Sequence, residues 1–251
     1  MALDLLDKSG NGNNLTNSGA AEQTASLPFS TNGNVRTAAL VAAESDYLSA
    51  ADSASLSITG NMTLMTWVNF DSLPADGNQM APLAKWTTTG NQRSYRLLVS
   101  NSVGTYSITF AISTDGVASS NASVTWSPSP STGTWYNIAV VYNASAGTAD
   151  FYINGSAMGA QQSGLATSIF DSTALFVIGA NQDGANSFIN GKQDDIRVYN
   201  ITRTQGQIAA DYQQDLLTYT NVAGYWPFET PVESGGAAIF AYKTLLGVGQ
   251  A

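Results

Sequence analysis

Short apolar segments separated by turn dipeptides recur along most of this chain, and this rhythm constrains its fold more than any other feature. The segments are rich in Val, Ile, Thr, Tyr, Phe and Trp, which suit a pleated and half-buried surface. Asp-Gly and Asn-Gly pairs lie between them and are typical of tight turns that join antiparallel strands. The pattern therefore predicts a protein built from antiparallel β-strands. The predicted strands lie at residues 47–48, 56–58, 62–70, 82–86, 95–99, 106–112, 124–126, 135–142, 151–153, 175–178 and 195–199.

One segment departs from this pattern, because residues 204–217 have helical periodicity. Ile208 and Tyr212 share one helical face, and Thr202 or Thr204 is suited to cap the first turn. Residues 1–45 show little periodicity and predict loops with one or two short strands. Apolar residues make up 43% of the 251-residue chain, enough to fill the core of one large sandwich. The sequence therefore predicts an all-β fold with one short C-terminal helix.

The ionisable residues exclude several classes of function. The net charge is −9 and the nine Lys and Arg residues are scattered, so no basic stripe exists for nucleic acid. The chain has no His, which excludes an imidazole general base, a Ser-His-Asp triad and the usual zinc site. It has no Cys and therefore no disulfide framework. We predict that the chain is not an enzyme.

The surface composition and the N-terminal sequence bear on where the protein works. Only 11% of the residues are charged, so the surface is made of Ser, Thr, Asn, Gln and Gly, as in many extracellular and virion proteins. No basic segment followed by a long apolar run is visible near the N-terminus, so no signal peptide is predicted. No apolar stretch is long enough to span a membrane. We expect the protein at an extracellular surface or in a virion.

Three motifs occur in a fixed order along the second half of the chain. They are WYNIA at residues 135–139, FYING at residues 151–155 and GKQDDIRVY at residues 191–199, and the predicted helix follows them. In this order they resemble laminin G-like domains of the concanavalin A-like lectin/glucanase family, over roughly residues 46–217. The resemblance implies a jelly-roll sandwich of two antiparallel sheets. The glucanases of that family carry their catalytic carboxylates on one strand, and none of the four Glu residues here shows that pattern.

The two ends of the chain depart from the family pattern. Many members open with an aromatic strand that is followed by a DxSGNGN turn. Here DKSGNGN lies at residues 7–13 with no aromatic strand before it, whereas GYWPFE lies at residues 224–229. Three arrangements are open: a permuted edge strand that completes its own sandwich, a strand donated to a neighbouring subunit, or the start of a degenerate second module. We place the sandwich at residues 1–233, with a core at 46–217 completed by the strand at 224–229.

The N-terminal turn also has the spacing of a calcium-binding loop. Asp7, Ser9 and Asn11 supply oxygen atoms at positions 1, 3 and 5, although the acid at position 12 of an EF-hand is missing. The resemblance implies a further ligand at Asp194 or Asp195, of which only one can serve because adjacent strand residues point to opposite faces. We favour Asp195. Two interpretations of the turn stay open: a structural calcium site and a purely polar turn. The predicted additional ligands are Asp46, Asp195 and Glu229.

Aromatic residues near loops are candidates for stacking on a sugar ring. Trp86, Tyr106 and Trp126 are the best placed of these, and packing in the core is the alternative interpretation for each. Three cations cluster in sequence around the 83–99 hairpin, where they could meet an acidic sugar or simply face solvent. They are Lys85, Arg93 and Arg96.

Two hypotheses for the function follow. The first is a non-catalytic recognition module, lectin-like and stabilised by calcium, that binds a glycan or a surface protein. The second is a structural surface component, such as a phage head-decoration or fibre protein or a cell-surface repeat unit. The apolar tail at residues 234–251, which is predicted to be flexible or to dock, favours assembly into a homo-oligomer or a capsid lattice.

Overall fold

The computed structural model describes residues 3–25, 35–181, 183–213, 220–228, 233–234 and 237–238. Strands dominate, together with one α-helix, α1 (Gln205–Tyr212), and two short 3-10 turns at Ala42–Glu44 and Thr89–Asn91. The strands are β1 (Thr16–Ser18), β2 (Ala21–Ala25), β3 (Val35–Leu40), β4 (Tyr47–Ala50), β5 (Met62–Phe70), β6 (Gln79–Thr87), β7 (Gln92–Ser102), β8 (Thr105–Ile112), β9 (Ser120–Thr125), β10 (Trp135–Asn143), β11 (Thr148–Ile153), β12 (Ser156–Ala157), β13 (Gln162–Ser163), β14 (Phe176–Ile178), β15 (Gly191–Tyr199), β16 (Val222–Trp226), β17 (Glu233–Ser234) and β18 (Ala237–Ala238).

Two antiparallel sheets form the sandwich. The seven-stranded sheet has the order β1-β4-β14-β6-β7-β8-β9. The nine-stranded sheet has the order β12-β11-β10-β5-β15-β3-β2, with β13 added on β11 and β16 on β15. The predicted all-β sandwich with one short helix is therefore confirmed. Among the described residues, no helix is long and apolar enough to cross a membrane.

The main core lies between the two sheets. Alternate side chains of each strand point inward, so Leu97 and Phe110 of one sheet meet Val68 and Ile138 of the other in a single buried cluster. The segment at 56–58 is not a strand, although Leu56 is fully buried in this core. The apolar character of this segment reflects burial in a loop, so the prediction of a strand there was wrong.

Helix α1 covers part of the outward-facing side of the nine-stranded sheet. Its start is fixed by a capping box, in which the Thr204 hydroxyl accepts from the Gln207 N–H and the Gln207 side chain accepts from the Thr204 N–H. Ile208 packs into a second buried cluster, and Tyr212 stacks on Trp67 with ring centroids 5.3 Å apart. The helix ends at Tyr212, earlier than predicted.

Strand β16 contains most of the GYWPFE motif and pairs with β15 of the same chain. Ile196 lies opposite Trp226 and Arg197 opposite Tyr225, while β3 pairs with the beginning of β15 on the same side. The Trp226 ring also crosses the sandwich and stacks on Phe176 of the seven-stranded sheet, with centroids 5.3 Å apart. Among the three arrangements considered, the structure therefore has the strand in its own sandwich.

The segment that follows β16 is described only in part. Strands β17 and β18 pair with each other as a small separate sheet. Glu229 and most of the tail at 234–251 lie outside the described residues, so the domain limits at 233 and 234 and the docking role of the tail stay predictions.

Candidate functional site

The DKSGNGN turn carries three of the predicted calcium ligands, and the structure does bring these three together. Both oxygens of the Asp7 carboxylate accept hydrogen bonds from the protein. Oδ1 accepts from the N–H groups of Ser9 at 2.9 Å and Tyr225 at 3.0 Å. Oδ2 accepts from the Ser9 hydroxyl at 2.8 Å and the Asn13 N–H at 3.0 Å. This is the bonding of a turn held by an Asp side chain.

The remaining side chains of this turn fasten it to β16. The Asn11 side-chain amide donates to the carbonyl of Val222 at 2.9 Å, and that of Asn13 donates to the carbonyl of Ala223 at 2.8 Å. The Trp226 indole in turn donates to the Asn13 carbonyl at 2.9 Å. The turn therefore joins the N-terminal segment to the strand that precedes such a turn in many family members, although the two are more than two hundred residues apart here.

Asp195 serves a buried ion pair. It lies in a β-bulge with φ of 50°, where the register of β15 against β5 shifts between Asp194 and Arg197. Its carboxylate accepts from Arg197 Nε at 2.9 Å and Nη2 at 2.6 Å. Arg197 also lies 3.4 Å from Asp211 of α1, which pairs with Arg203. Burial alone would lower the pKa of Arg197, but the carboxylates of Asp195 and Asp211 hold it well above its ordinary value.

The predicted calcium site is therefore not assembled by the described residues. Asp46 is buried beside Gly19 and accepts from the Val41 N–H at 3.0 Å. Asp195 neutralises Arg197, and Asp7 accepts from four protein donors. No three carboxylates of the described residues come together, and the predicted ligand Glu229 lies outside them. These residues do not fit a shared calcium ion, because calcium needs oxygen ligands that point to one centre.

Two of the three predicted stacking aromatics are buried. Trp126 is 2% exposed and packs in the main core against Tyr136, with ring centroids 5.0 Å apart. Trp86 is also 2% exposed, but it lies on the opposite side of its sheet. Neither ring face is available to a sugar, which corrects the prediction for both residues. Tyr106 is half-buried against the core, and its role as a ligand contact stays a prediction.

The three cations of the 83–99 hairpin separate onto two sides of the seven-stranded sheet. Lys85 is fully buried and donates to Asp52 and to the carbonyls of Ser172 and Ala174, all within 2.7 Å. Arg96 lies on the outward side with Trp86. Ordinary alternation along β6 separates them, because Leu83 and Lys85 point inward whereas Ala84 and Trp86 point outward, and Arg96 lies opposite Ala84.

We call the outward-facing side of β6–β9 the polar face. Its central row consists of Ala84, Arg96, Ala111 and Asn121, which lie opposite one another on four successive strands. The two alanines on either side of the arginine are fully buried. Asn121 is exposed at the end of the row. The face is therefore closed in the middle and polar at its edge.

A second row of the polar face carries hydroxyl groups. Thr109 and Ser123 lie opposite each other, with their hydroxyl oxygens 2.9 Å apart. Ser123 and Thr125 are exposed, whereas Ala122 and Val124, which alternate with them, point into the core. Sequence reasoning missed these residues, although the polar-apolar alternation of the segment SNASVT at 120–125 was a usable signal.

Arg96 lies over the indole of Trp86, with its guanidinium carbon 4.2 Å from the ring centroid. It is half-buried, and its Nε is enclosed without a hydrogen-bond partner. Burial, together with the positive charge of nearby Arg93, lowers the pKa of Arg96 to about 10. Arg93 itself is held by hydrogen bonds from Nη1 to the carbonyls of Gly116 and Val117.

Solved structures share this fold at low sequence identity. A bacteriophage CBA120 tailspike protein 2 domain gives a TM-score of 0.62 at 15% identity, covering 91% of this chain and 34% of that one. Domain 4 of AbnA, an extracellular arabinanase of Geobacillus stearothermophilus solved with arabinotriose, gives 0.56 at 18% identity, covering 84% and 93%. The ligand-binding domain of botulinum neurotoxin serotype D, solved with N-acetylneuraminic acid, gives 0.58 at 14% identity, covering 84% and 48%.

A family model identifies the same fold directly from sequence. No curated protein matches the chain. The model described as "Concanavalin A-like lectin/glucanases superfamily" matches residues 42–209. That range is about two thirds of the chain and includes the WYNIA, FYING and GKQDDIRVY motifs. This chain therefore belongs to the concanavalin A-like lectin/glucanase superfamily.

Proposed function

We propose that this domain is a non-catalytic recognition module that binds glycans on the polar face. The observation that carries the proposal is the arrangement of that face, in which hydroxyl and amide side chains of β8 and β9 lie beside a guanidinium placed over an indole. The chemistry suits a sugar, because Asn amides and Ser or Thr hydroxyls can each both donate to and accept from ring hydroxyls.

The shape of the face supports the same class of ligand. Neighbouring strands of a sheet lie about 4.8 Å apart, so β7, β8 and β9 together present a surface roughly 10 Å across. Ala84 and Ala111 beside Arg96 are fully buried, so the accessible polar groups of the face lie on β8 and β9. An oligosaccharide could lie along these strands with its hydroxyl groups toward Asn121, Thr109 and Ser123.

Two of the similar structures contain sugars. AbnA domain 4 was solved with arabinotriose and the neurotoxin domain with N-acetylneuraminic acid. At 18% and 14% identity these structures share the fold, and extending their ligand class to this chain is part of our proposal.

The absence of acids on the polar face supports binding without catalysis. The sequences of β6, β7, β8 and β9 contain no Asp and no Glu. Glycoside hydrolysis ordinarily uses two carboxyl groups about 5–9.5 Å apart across the bond that is cleaved. A sugar held on this face therefore has no such pair from the strands beneath it.

A second candidate is a structural part of a larger surface assembly. The observation that favours it is the match to the phage tailspike. The aligned region includes 91% of this chain but only 34% of the tailspike chain. A mass measurement in solution distinguishes the two candidates. A stable oligomer that binds no glycan would favour the structural role.

Glycan binding can be tested on an array of neutral and acidic glycans, followed by calorimetry on the best binder. The double variant Asn121→Ala with Ser123→Ala removes polar groups from the face. The matched control is Ser156→Ala with Ser163→Ala, two exposed serines on the other sheet. We expect the face variant to weaken binding by about tenfold or more, at about 1 kcal/mol for each lost hydrogen bond, and the control to have no effect. Silence of the whole array, or equal affinity of the face variant, would refute the proposal.

A further inference from the structure

The pairing of charges sets Arg93 and Arg96 apart from the other cations of the chain. Among the basic side chains that the structure describes, all except these two have a carboxylate partner. The pairs are Lys8 with Asp4 at 2.7 Å, Lys85 with Asp52 at 2.7 Å, Lys192 with Asp71 at 2.8 Å, Arg197 with Asp195 at 2.6 Å and Arg203 with Asp211 at 2.5 Å.

The lack of a partner is not a consequence of a basic sequence. The chain has 18 acidic residues against nine basic ones. None of those acids lies on the four strands of the polar face, so the two arginines stand on a surface from which internal carboxylates are missing. A half-buried cation without a carboxylate partner has lost part of its hydration, so an anion from outside the chain would stabilise its charge.

The state of the Arg96 guanidinium strengthens this reasoning. Its Nε is buried without a hydrogen-bond acceptor. The half-buried position on Trp86 has already removed part of its water. A donor group that is desolvated and oriented before binding loses little more when a ligand arrives.

We propose that Arg96, assisted by the charge of Arg93, binds the carboxylate group of an acidic sugar. This inference rests on the proposed glycan-binding function and adds the class of ligand. A planar guanidinium matches the two oxygens of a carboxylate, and the charge-assisted pair is stronger than a neutral hydrogen bond. The ring hydroxyls of the same sugar would then face Thr109, Ser123 and Asn121.

The electrostatic state of the site agrees with an anionic ligand. The pKa of Arg96 is lowered to about 10 by burial and by Arg93, so the group is still charged at neutral pH but lacks a compensating anion. A bound carboxylate removes that deficit, because an opposite charge stabilises the protonated form.

The test compares acidic probes with neutral counterparts. Calorimetry measures tri-galacturonate against its methyl ester, and sialyllactose against lactose, at low and at high salt. We expect at least one acidic probe to bind about tenfold or more tightly than its neutral counterpart, with the difference shrinking at high salt. The same probes are then titrated into Arg96→Gln, Arg96→Lys and Arg93→Gln, with Lys192→Gln on the other sheet as the matched control.

We expect Arg96→Gln to lose about tenfold or more in affinity for the acidic probe only, and Lys192→Gln to lose none. Arg96→Lys should retain part of the affinity, since it keeps the charge without the planar fork. Melting curves that match the wild type show that the variants are folded. Equal binding of charged and neutral probes, or an Arg96→Gln variant that keeps its preference, overturns this inference while glycan binding stands. Failure of every glycan on the array overturns the proposed function instead.

Discussion

The two outward-facing sides of this sandwich use arginine in opposite ways. On the nine-stranded sheet, Arg197 lies under α1 between Asp195 and Asp211, and all three side chains are almost fully buried. On the seven-stranded sheet, Arg96 lies half-exposed on Trp86 with no carboxylate partner among the described residues. The covered side is therefore organised for stability, and the open side keeps an unsatisfied charge. This difference, more than the fold itself, locates the surface that we propose for recognition.

Removing the buried arginine should produce the largest effect. Arg197→Ala leaves the Asp195 and Asp211 carboxylates buried without their shared cation, and breaking a buried ion pair costs about 3–5 kcal/mol. We expect the free energy of unfolding, measured by urea titration, to fall by that amount. A loss below about 1 kcal/mol would mean that the covered side does not depend on its charge network.

Changing the N-terminal turn should have the second-largest effect on stability, because the turn is hydrogen-bonded to β16. Asp7→Ala leaves the N–H groups of Ser9, Asn13 and Tyr225 without their acceptor, for an expected loss of about 1–3 kcal/mol. Asp7→Asn, which keeps an acceptor oxygen, should lose less. Equal stability of Asp7→Ala and the wild type in the same urea titration would contradict the structural role of the turn.

The corresponding change on the open side should affect stability much less. Arg96→Gln removes a cation that has no described partner, so we expect the free energy of unfolding to change by less than about 1 kcal/mol. Its effect on acidic glycans should nevertheless be large. A loss of stability as great as that of Arg197→Ala would make Arg96 a structural residue and would remove the contrast between the two sides.

Calcium should have the smallest effect. Asp7 and Asp195 already accept hydrogen bonds from the protein, so we expect no rise in the melting temperature when millimolar calcium is added to chelator-treated protein. Magnesium serves as the control for a general effect of divalent ions. A calcium-specific rise would show that the turn and its neighbours rearrange to bind the ion, against the geometry described above.

Much of the fold could be predicted because its signals are local. The long strands, the Thr204 cap and the order of the family motifs are all visible in short stretches of sequence. Strands β1, β2 and β3 gave little signal, since their residues are mostly small or polar and the sheet alone decides their pairing. Helix α1 ends at Tyr212, and residues 214–217 of the predicted helix lie outside the described residues.

The candidate site could be predicted only in part. The sequence indicated a group of cations at 83–99, and Arg96 does lie on the surface that we propose. It did not show that Lys85 points inward or that Trp86 contacts an arginine, because alternation separates the two faces of a strand without indicating which face is covered. Asp195 was misassigned for another reason: a bulge turns its carboxylate toward Arg197.

By itself, the sequence determined the class of fold, the family and the lack of a basic or imidazole-based site, since composition and local periodicity are properties of the chain. The tertiary structure decided which charges are paired. Arg197 meets Asp211 and Asp7 meets Tyr225 only because distant segments are brought together by the sheets. Whether a charge is satisfied depends on its neighbours in space, so only the folded chain could distinguish Arg96 from Arg197.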